Sequence, residues 1–133
     1  MTTPPLDLST RLDDAHLAVY NALPAGLLDL SDIDRTRSGF EALTAALPAP
    51  ALPPSVTIED VMVPGRGEDD PEVMLRLYKP ERLVDGPGGG APSLYWIHGG
   101  GMVLGSVDMS DFDCAQRADE FGCLVASVEY RLA

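Results

Sequence analysis

Two short apolar runs flank one helical stretch in the last third of the chain, and this arrangement constrains the fold more than any other feature. Ser93–Ile97 (Ser-Leu-Tyr-Trp-Ile) and Cys123–Tyr130 read as buried strands. Ser110–Phe121 between them reads as a helix, with Ser110 or Asp111 at its cap. Two strands separated by a helix pair in parallel through a right-handed crossover. Parallel strands of this kind are covered on both faces and lie near the centre of a larger sheet. The class is therefore α/β.

Upstream the period differs. Val56, Ile58 and Val61–Val63 read as a strand, and Val73–Tyr78 alternates cleanly, with Val73, Leu75 and Leu77 on one face. The turn Gly65–Pro71, with three acids, makes the pair a hairpin. Before the hairpin, Pro48–Ser55 holds four prolines and a single polar residue, Ser55. Such a stretch is a stiff linker. We divide the chain there, into a helical region with its linker (1–53) and an α/β region (54–133).

The helical region reads as two amphipathic helices. Ser9 and Thr10 offer caps for the first, whose stripe is Leu12, Ala15, His16, Val19, Tyr20 and Leu23, with Pro24 and Gly26 as its stop. Ser31 or Asp32 caps the second, Asp34 suits its first turn, and Ile33, Phe40, Leu43 and Leu47 form its stripe. Their polar faces carry Asp and Glu, whereas a helix lying on a membrane wants basic residues there.

Charge and cysteine content exclude several functions. Asp and Glu number 21 against 9 Lys and Arg, a net charge of −12. That balance repels nucleic acid, anionic membranes and anionic substrates. No run of about 18 apolar residues exists, so no membrane span is expected. Met1–Leu12 has neither a basic start nor an apolar core, so it does not read as a secretory signal. Cys114 and Cys123 are not spaced as a Cys-x-x-Cys pair, and His16 and His98 are the only histidines. No metal site and no cofactor is expected. The two cysteines read as small core residues, and the setting as cytoplasmic. Asp85–Gly90 is glycine-rich but lacks the Gly-Lys-Ser/Thr ending of a phosphate loop, so it reads as a surface loop.

One stretch carries chemistry. His98-Gly99-Gly100-Gly101 follows directly on the strand ending at Ile97. Successive glycines let the backbone turn sharply and bring its N–H groups close to a ligand. Two such groups aimed at one point can hold a developing oxyanion. Met102, Val103 and Leu104 are apolar, as a wall beside an acyl chain would be, and Gly105-Ser106 ends the loop.

The run His98–Ser106 resembles the H-G-G-G-x-x-x-G-S segment of the hormone-sensitive-lipase-like esterases, which are α/β-hydrolases. Ser127-Val128-Glu129-Tyr130-Arg131-Leu132-Ala133 is similar to that family's S-V-D-Y-R-L-A-P-E strand end. Asp108, Asp111 and Cys114 fall where the family often has Asp, Asp and Cys. Glu129 replaces the usual Asp, keeping the charge on a longer arm. The resemblance implies the N-terminal part of an α/β-hydrolase fold, with the two N-terminal helices as its cap and the sheet incomplete. It implies that Gly100 and Gly101 are the oxyanion-hole donors through their backbone N–H groups. His98 and Gly99 then support the loop, and His98 is structural and not the catalytic base. Met102, Val103 and Leu104 are candidate substrate-pocket residues, and the resemblance implies a small-molecule ester of short to medium acyl length as substrate.

The family's mechanism also needs Ser, Asp/Glu and His in that order, with Ser on a G-x-S-x-G turn. Gly86 and Gly90 enclose Gly88, and Gly101 and Gly105 enclose Val103, so no such turn exists here. Nucleophile, acid and base are therefore expected beyond residue 133, and the chain stops inside a motif that continues with Pro-Glu. The expectation is the first part of a longer esterase, completed by its C-terminal portion or by a second copy of the chain. The alternatives are a non-catalytic small-molecule-binding relative and an inactive truncated fragment.

Overall fold

The structure, a computed structural model, describes residues 11–24, 27 and 29–133. These fall into two compact units, one ending at Glu41 and the other running Ala42–Ala133. The expected boundary was 53/54. The proline stretch instead belongs to the second unit, where Ser55 Oγ donates to Asp119 Oδ1 (2.5 Å) and Glu81 N–H donates to the Ser55 carbonyl (2.8 Å).

The first unit holds helix α1 (Asp14–Ala22) and the start of α2 (Ile33–Ala45). The expected caps Ser9 and Thr10, and the expected stop Gly26, lie outside the described residues. Asp13 caps α1, its carboxylate accepting from the N–H groups of Ala15 and His16. No residue of α1 is buried, and Val19 is 65% exposed, so the expected stripe forms no core of its own. Asp32 caps α2 as expected, accepting from Arg35 N–H at 3.1 Å. The buried residue of α2 is Thr36, not one of the expected stripe. Thr36 Oγ1 donates to the Asp29 carbonyl (2.8 Å) and accepts from Asp29 N–H (3.1 Å), so the hydroxyl can enter the interior fully paired.

The second unit is a four-stranded sheet in the order β1-β2-β4-β3. Strands β1 (Val56–Val63) and β2 (Val73–Pro80) form the expected antiparallel hairpin, with Val56 opposite Pro80 and Val63 opposite Val73. Strand β3 (Ser93–Ile97) pairs in parallel with β4 (Leu124–Glu129), Ser93 opposite Leu124 and Ile97 opposite Val128. Helix α3 (Asp111–Phe121) connects them, as the period predicted. Ser110 occupies its N-cap without a side-chain cap bond, and a 3₁₀ turn, Val107–Ser110, precedes it. Gly122 ends α3 in the left-handed region (φ 60°).

The core forms where α3 lies on the sheet: Tyr78, Cys114, Ala115, Ala118, Cys123 and Val125, with Val56, Leu94 and Trp96 against it. Arg117 of α3 stands over the Trp96 ring, 5.0 Å from its centroid. Both cysteines are buried free thiols. The buried strand expected at Ser93–Ile97 is buried on one face only: β3 is the edge of a sheet left incomplete in these residues, with Tyr95 57% and Ile97 65% exposed. Period-2 alternation explains this, since Leu94 and Trp96 face α3 and the intervening residues face the uncovered side. Among the described residues, no helix is long and apolar enough to cross a membrane.

Candidate functional site

Parallel pairing brings the carboxyl ends of β3 and β4 to the same end of the sheet. In open α/β sheets this end is where ligands bind. The loop leaving β3 there, His98–Val107, contains every site residue expected from the sequence.

The loop backbone is unusual. Gly100 (φ 125°), Gly101 (61°), Met102 (62°) and Gly105 (98°) all have positive φ. Met102 does so with a side chain, a conformation that costs roughly 1–2 kcal/mol. Val103 and Leu104 N–H groups both donate to the Gly100 carbonyl, at 3.1 and 3.0 Å, and close the turn. A Cβ on Gly100 would lie 1.9 Å from the Leu104 carbonyl oxygen, so only glycine fits. A Cβ on Gly101 or Gly99 would meet nothing within 4 Å. Gly99, Gly100 and Gly101 are exposed, and among the described residues the amides of Gly100 and Gly101 donate to no protein acceptor. Neighbouring free N–H groups on such a backbone can accept an anion.

The expected apolar wall is divided. Met102 is 62% exposed, Val103 half-buried, and Leu104 buried. A cavity lined by Ala49, Pro50, Leu52, Met109 and Phe112 lies apart from these three.

His98 is buried. Its Nδ1 donates to the Gly99 carbonyl at 2.9 Å, since a carbonyl only accepts. Its ring stacks on Tyr130, with centroids 4.1 Å apart and planes at 14°. His16, by contrast, is exposed on α1 and bonds Asp13 at 2.7 Å.

Two groups of residues near the loop were given no role from the sequence, although Asp108, Asp111 and Glu129 were noted there as part of the resemblance. The first surrounds Arg76. Its guanidinium binds Asp60 through two hydrogen bonds (2.7 and 3.0 Å), Asp108 at 2.5 Å and Asp111 at 3.1 Å. Tyr78 Oη donates to Asp111 at 2.6 Å. The bond to Asp60, with those to Asp108 and Asp111, holds the Arg76 guanidinium even more firmly protonated than usual. Burial, then the Asp111 carboxylate, raises the Tyr78 hydroxyl. Arg76 in turn lowers Asp60 below its ordinary 3.8. This cluster ties the hairpin to the 3₁₀ turn and to the first turn of α3. The second group is Glu129 and Tyr130 at the end of β4. Glu129 Oε2 accepts from Val107 N–H (2.8 Å), and Tyr130 Oη donates to the His98 carbonyl (2.9 Å).

Residues 94–133 match the family described as the alpha/beta hydrolase fold. The chain is 33% identical over 130 residues to an ethyl acetate hydrolase of Pseudomonas putida, covering 98% of this chain and 38% of that protein. It is 34% identical over 108 residues to the carboxylic ester hydrolase LipN of Mycobacterium tuberculosis, covering 81% of this chain and 26% of that one. Among solved structures, a bacterial heroin esterase superposes with a TM-score of 0.76 at 37% identity, over 92% of this chain and 36% of that one. The chain therefore spans less than two fifths of the length of these relatives.

Proposed function

We propose, from the chain's correspondence to the N-terminal portion of hormone-sensitive-lipase-like α/β-hydrolase esterases, that it forms the oxyanion-hole segment of a serine carboxylesterase. The observation that carries this reading is the pair of exposed glycines Gly100 and Gly101, whose amides donate to no acceptor among the described residues, on a loop at the carboxyl end of β3. In acyl transfer to a serine, the ester carbonyl oxygen gains charge as the tetrahedral intermediate forms. Two N–H groups already in place stabilise that charge without reorganising. His98 and Gly99 hold the loop, and Met102 and Val103 flank the acyl group, with Leu104 packed behind them. Nucleophile, acid and base come from outside residues 1–133. Residues 1–53 serve as cap and linker. The substrate is an uncharged ester of short to medium acyl length.

The exposed edge and face of β3 support the same reading. Tyr95 and Ile97 are too apolar to remain open to water. A strand of the C-terminal portion, or the same edge of a second copy, pairs with the β3 edge, and a further element packs over the face that carries Tyr95 and Ile97. Two free buried thiols are consistent with a cytoplasmic protein.

The test compares the full-length natural protein with the 133-residue chain, using p-nitrophenyl acetate and butyrate. The full-length protein hydrolyses both and is labelled on one serine by a fluorophosphonate, whereas the 133-residue chain does neither. A full-length protein that neither turns over esters nor takes the label refutes the proposal.

A further inference from the structure

A loop with three adjacent glycines and four positive-φ positions loses much backbone freedom when it takes up one shape, so something must hold it. The holding contacts come from one short segment, the end of β4 and the residues after it. At the loop's start, Tyr130 Oη donates to the His98 carbonyl at 2.9 Å, and its ring stacks on the His98 imidazole. In the middle, Ala133 N–H donates to the Met102 carbonyl at 2.8 Å. At its end, Glu129 Oε2 accepts from Val107 N–H at 2.8 Å.

Glu129 also faces His98. Its Oε1 lies 3.9 Å from Nε2, a buried nitrogen with no hydrogen-bond partner. That separation is beyond a hydrogen bond but close for a carboxylate beside an imidazole. A Cβ at Gly105 would lie 2.7 Å from His98 Nδ1, so the ring packs directly on the returning backbone. The imidazole is therefore enclosed by Tyr130, Glu129 and Gly105. Both ends of the loop are held by two consecutive side chains, the last of β4 and the one after it.

We propose that Glu129 and Tyr130 are positioning residues that set the geometry of the Gly100–Gly101 donor pair. They touch no substrate; they act through His98 and Val107. The inference rests on the esterase reading above for its consequence in catalysis, but its structural content is independent of that reading. Donors aimed at a transition state are sensitive to small displacements, so loosening the clamp lowers kcat more than it raises KM.

The test uses the full-length protein and the variants Tyr130→Phe, Glu129→Ala and Glu129→Asp. Tyr130→Phe keeps the stacked ring and removes only the bond to the His98 carbonyl. With p-nitrophenyl acetate, Tyr130→Phe and Glu129→Ala lower kcat about 10- to 100-fold, with KM held within about twofold. Glu129→Asp, the residue the resembling family usually carries, recovers most of the rate. Amide hydrogen exchange is the second readout. Tyr130→Phe and Glu129→Ala speed exchange in residues 98–107 and leave β1, β2 and β4 protected as before. Unchanged exchange at 98–107, faster exchange spread evenly over the sheet, or an unchanged kcat in an active protein overturns the clamp. If the wild-type protein shows no hydrolysis at all, the esterase reading fails, and hydrogen exchange still decides whether the clamp exists.

Discussion

Replacing Gly99, Gly100 and Gly101 one at a time by alanine should give three different results, because the structure gives each glycine a different reason to be there. At Gly100 the new methyl would stand 1.9 Å from the Leu104 carbonyl oxygen, and φ is 125°. No side-chain adjustment relieves a clash with backbone, so the turn closed by Val103 and Leu104 must open. Losing one well-placed oxyanion donor costs about 10²–10³ in kcat, or about 3–4 kcal/mol, and Gly100→Ala is expected in that range. At Gly101 there is space around the methyl, but φ is 61°. The left-handed conformation costs an alanine roughly 1–2 kcal/mol. If that strain appears wholly as loop displacement, Gly101→Ala loses about tenfold. At Gly99 there is space and no positive φ, so Gly99→Ala stays within about twofold of wild type. The assay is p-nitrophenyl acetate hydrolysis by the full-length protein, with kcat and KM measured separately and thermal melts as a fold control. Gly100→Ala equal to Gly99→Ala would refute the loop geometry, and so would a loss confined to KM.

Other outcomes follow from the buried groups. Tyr78→Phe removes a 2.6 Å hydrogen bond to the Asp111 carboxylate and costs about 1.5–3 kcal/mol in urea unfolding; an unchanged midpoint would show that Arg76 alone satisfies Asp111. Asp60 is held below its ordinary 3.8 by Arg76, so its contribution to stability is complete above 3.8 and is lost as pH falls through the lowered folded value. The melting temperatures of wild type and Asp60→Asn therefore converge as pH falls below the ordinary carboxylate range, and a gap that stays constant from neutral pH into acid contradicts the pairing. The Cys114 thiol, pushed up to about 11 by burial, has little thiolate at pH 8. Peptide mapping after maleimide treatment at that pH finds Cys114 unmodified in the native protein and modified after unfolding; rapid native labelling would show that the face of α3 carrying Cys114 is not packed on the sheet.

Local period carried much of the fold. The strand Ser93–Ile97 has the bounds its composition predicts, and the runs Val56–Val63 and Val73–Tyr78 pair as the expected hairpin. Gly100 and Gly101 take positive φ inside the run of successive glycines that marks a sharp turn, and Gly105 does so where the loop ends. Elsewhere local reading misled. Leu47 was placed in a buried stripe and is 62% exposed, while Thr36 is buried because its hydroxyl pairs with both backbone groups of Asp29. Hydropathy scores a side chain alone, and a hydroxyl that satisfies itself on nearby backbone escapes it.

The sequence by itself determined what depends on neighbours a few residues away: the helix and strand periods, the hairpin, the parallel βαβ unit and the loop that only glycine can follow at Gly100. The tertiary structure decided what depends on partners far along the chain. Strand order β1-β2-β4-β3 puts β2 beside β4, which leaves β3 as an edge and sets Arg76 near Asp60, Asp108 and Asp111. Parallel pairing of β3 with β4 puts Glu129 and Tyr130 under both ends of a loop that begins 31 residues before Glu129. Side-chain type is readable one residue at a time. Which carboxylate meets which cation, or which ring stacks on His98, follows only from strand order and register, which no local pattern contains.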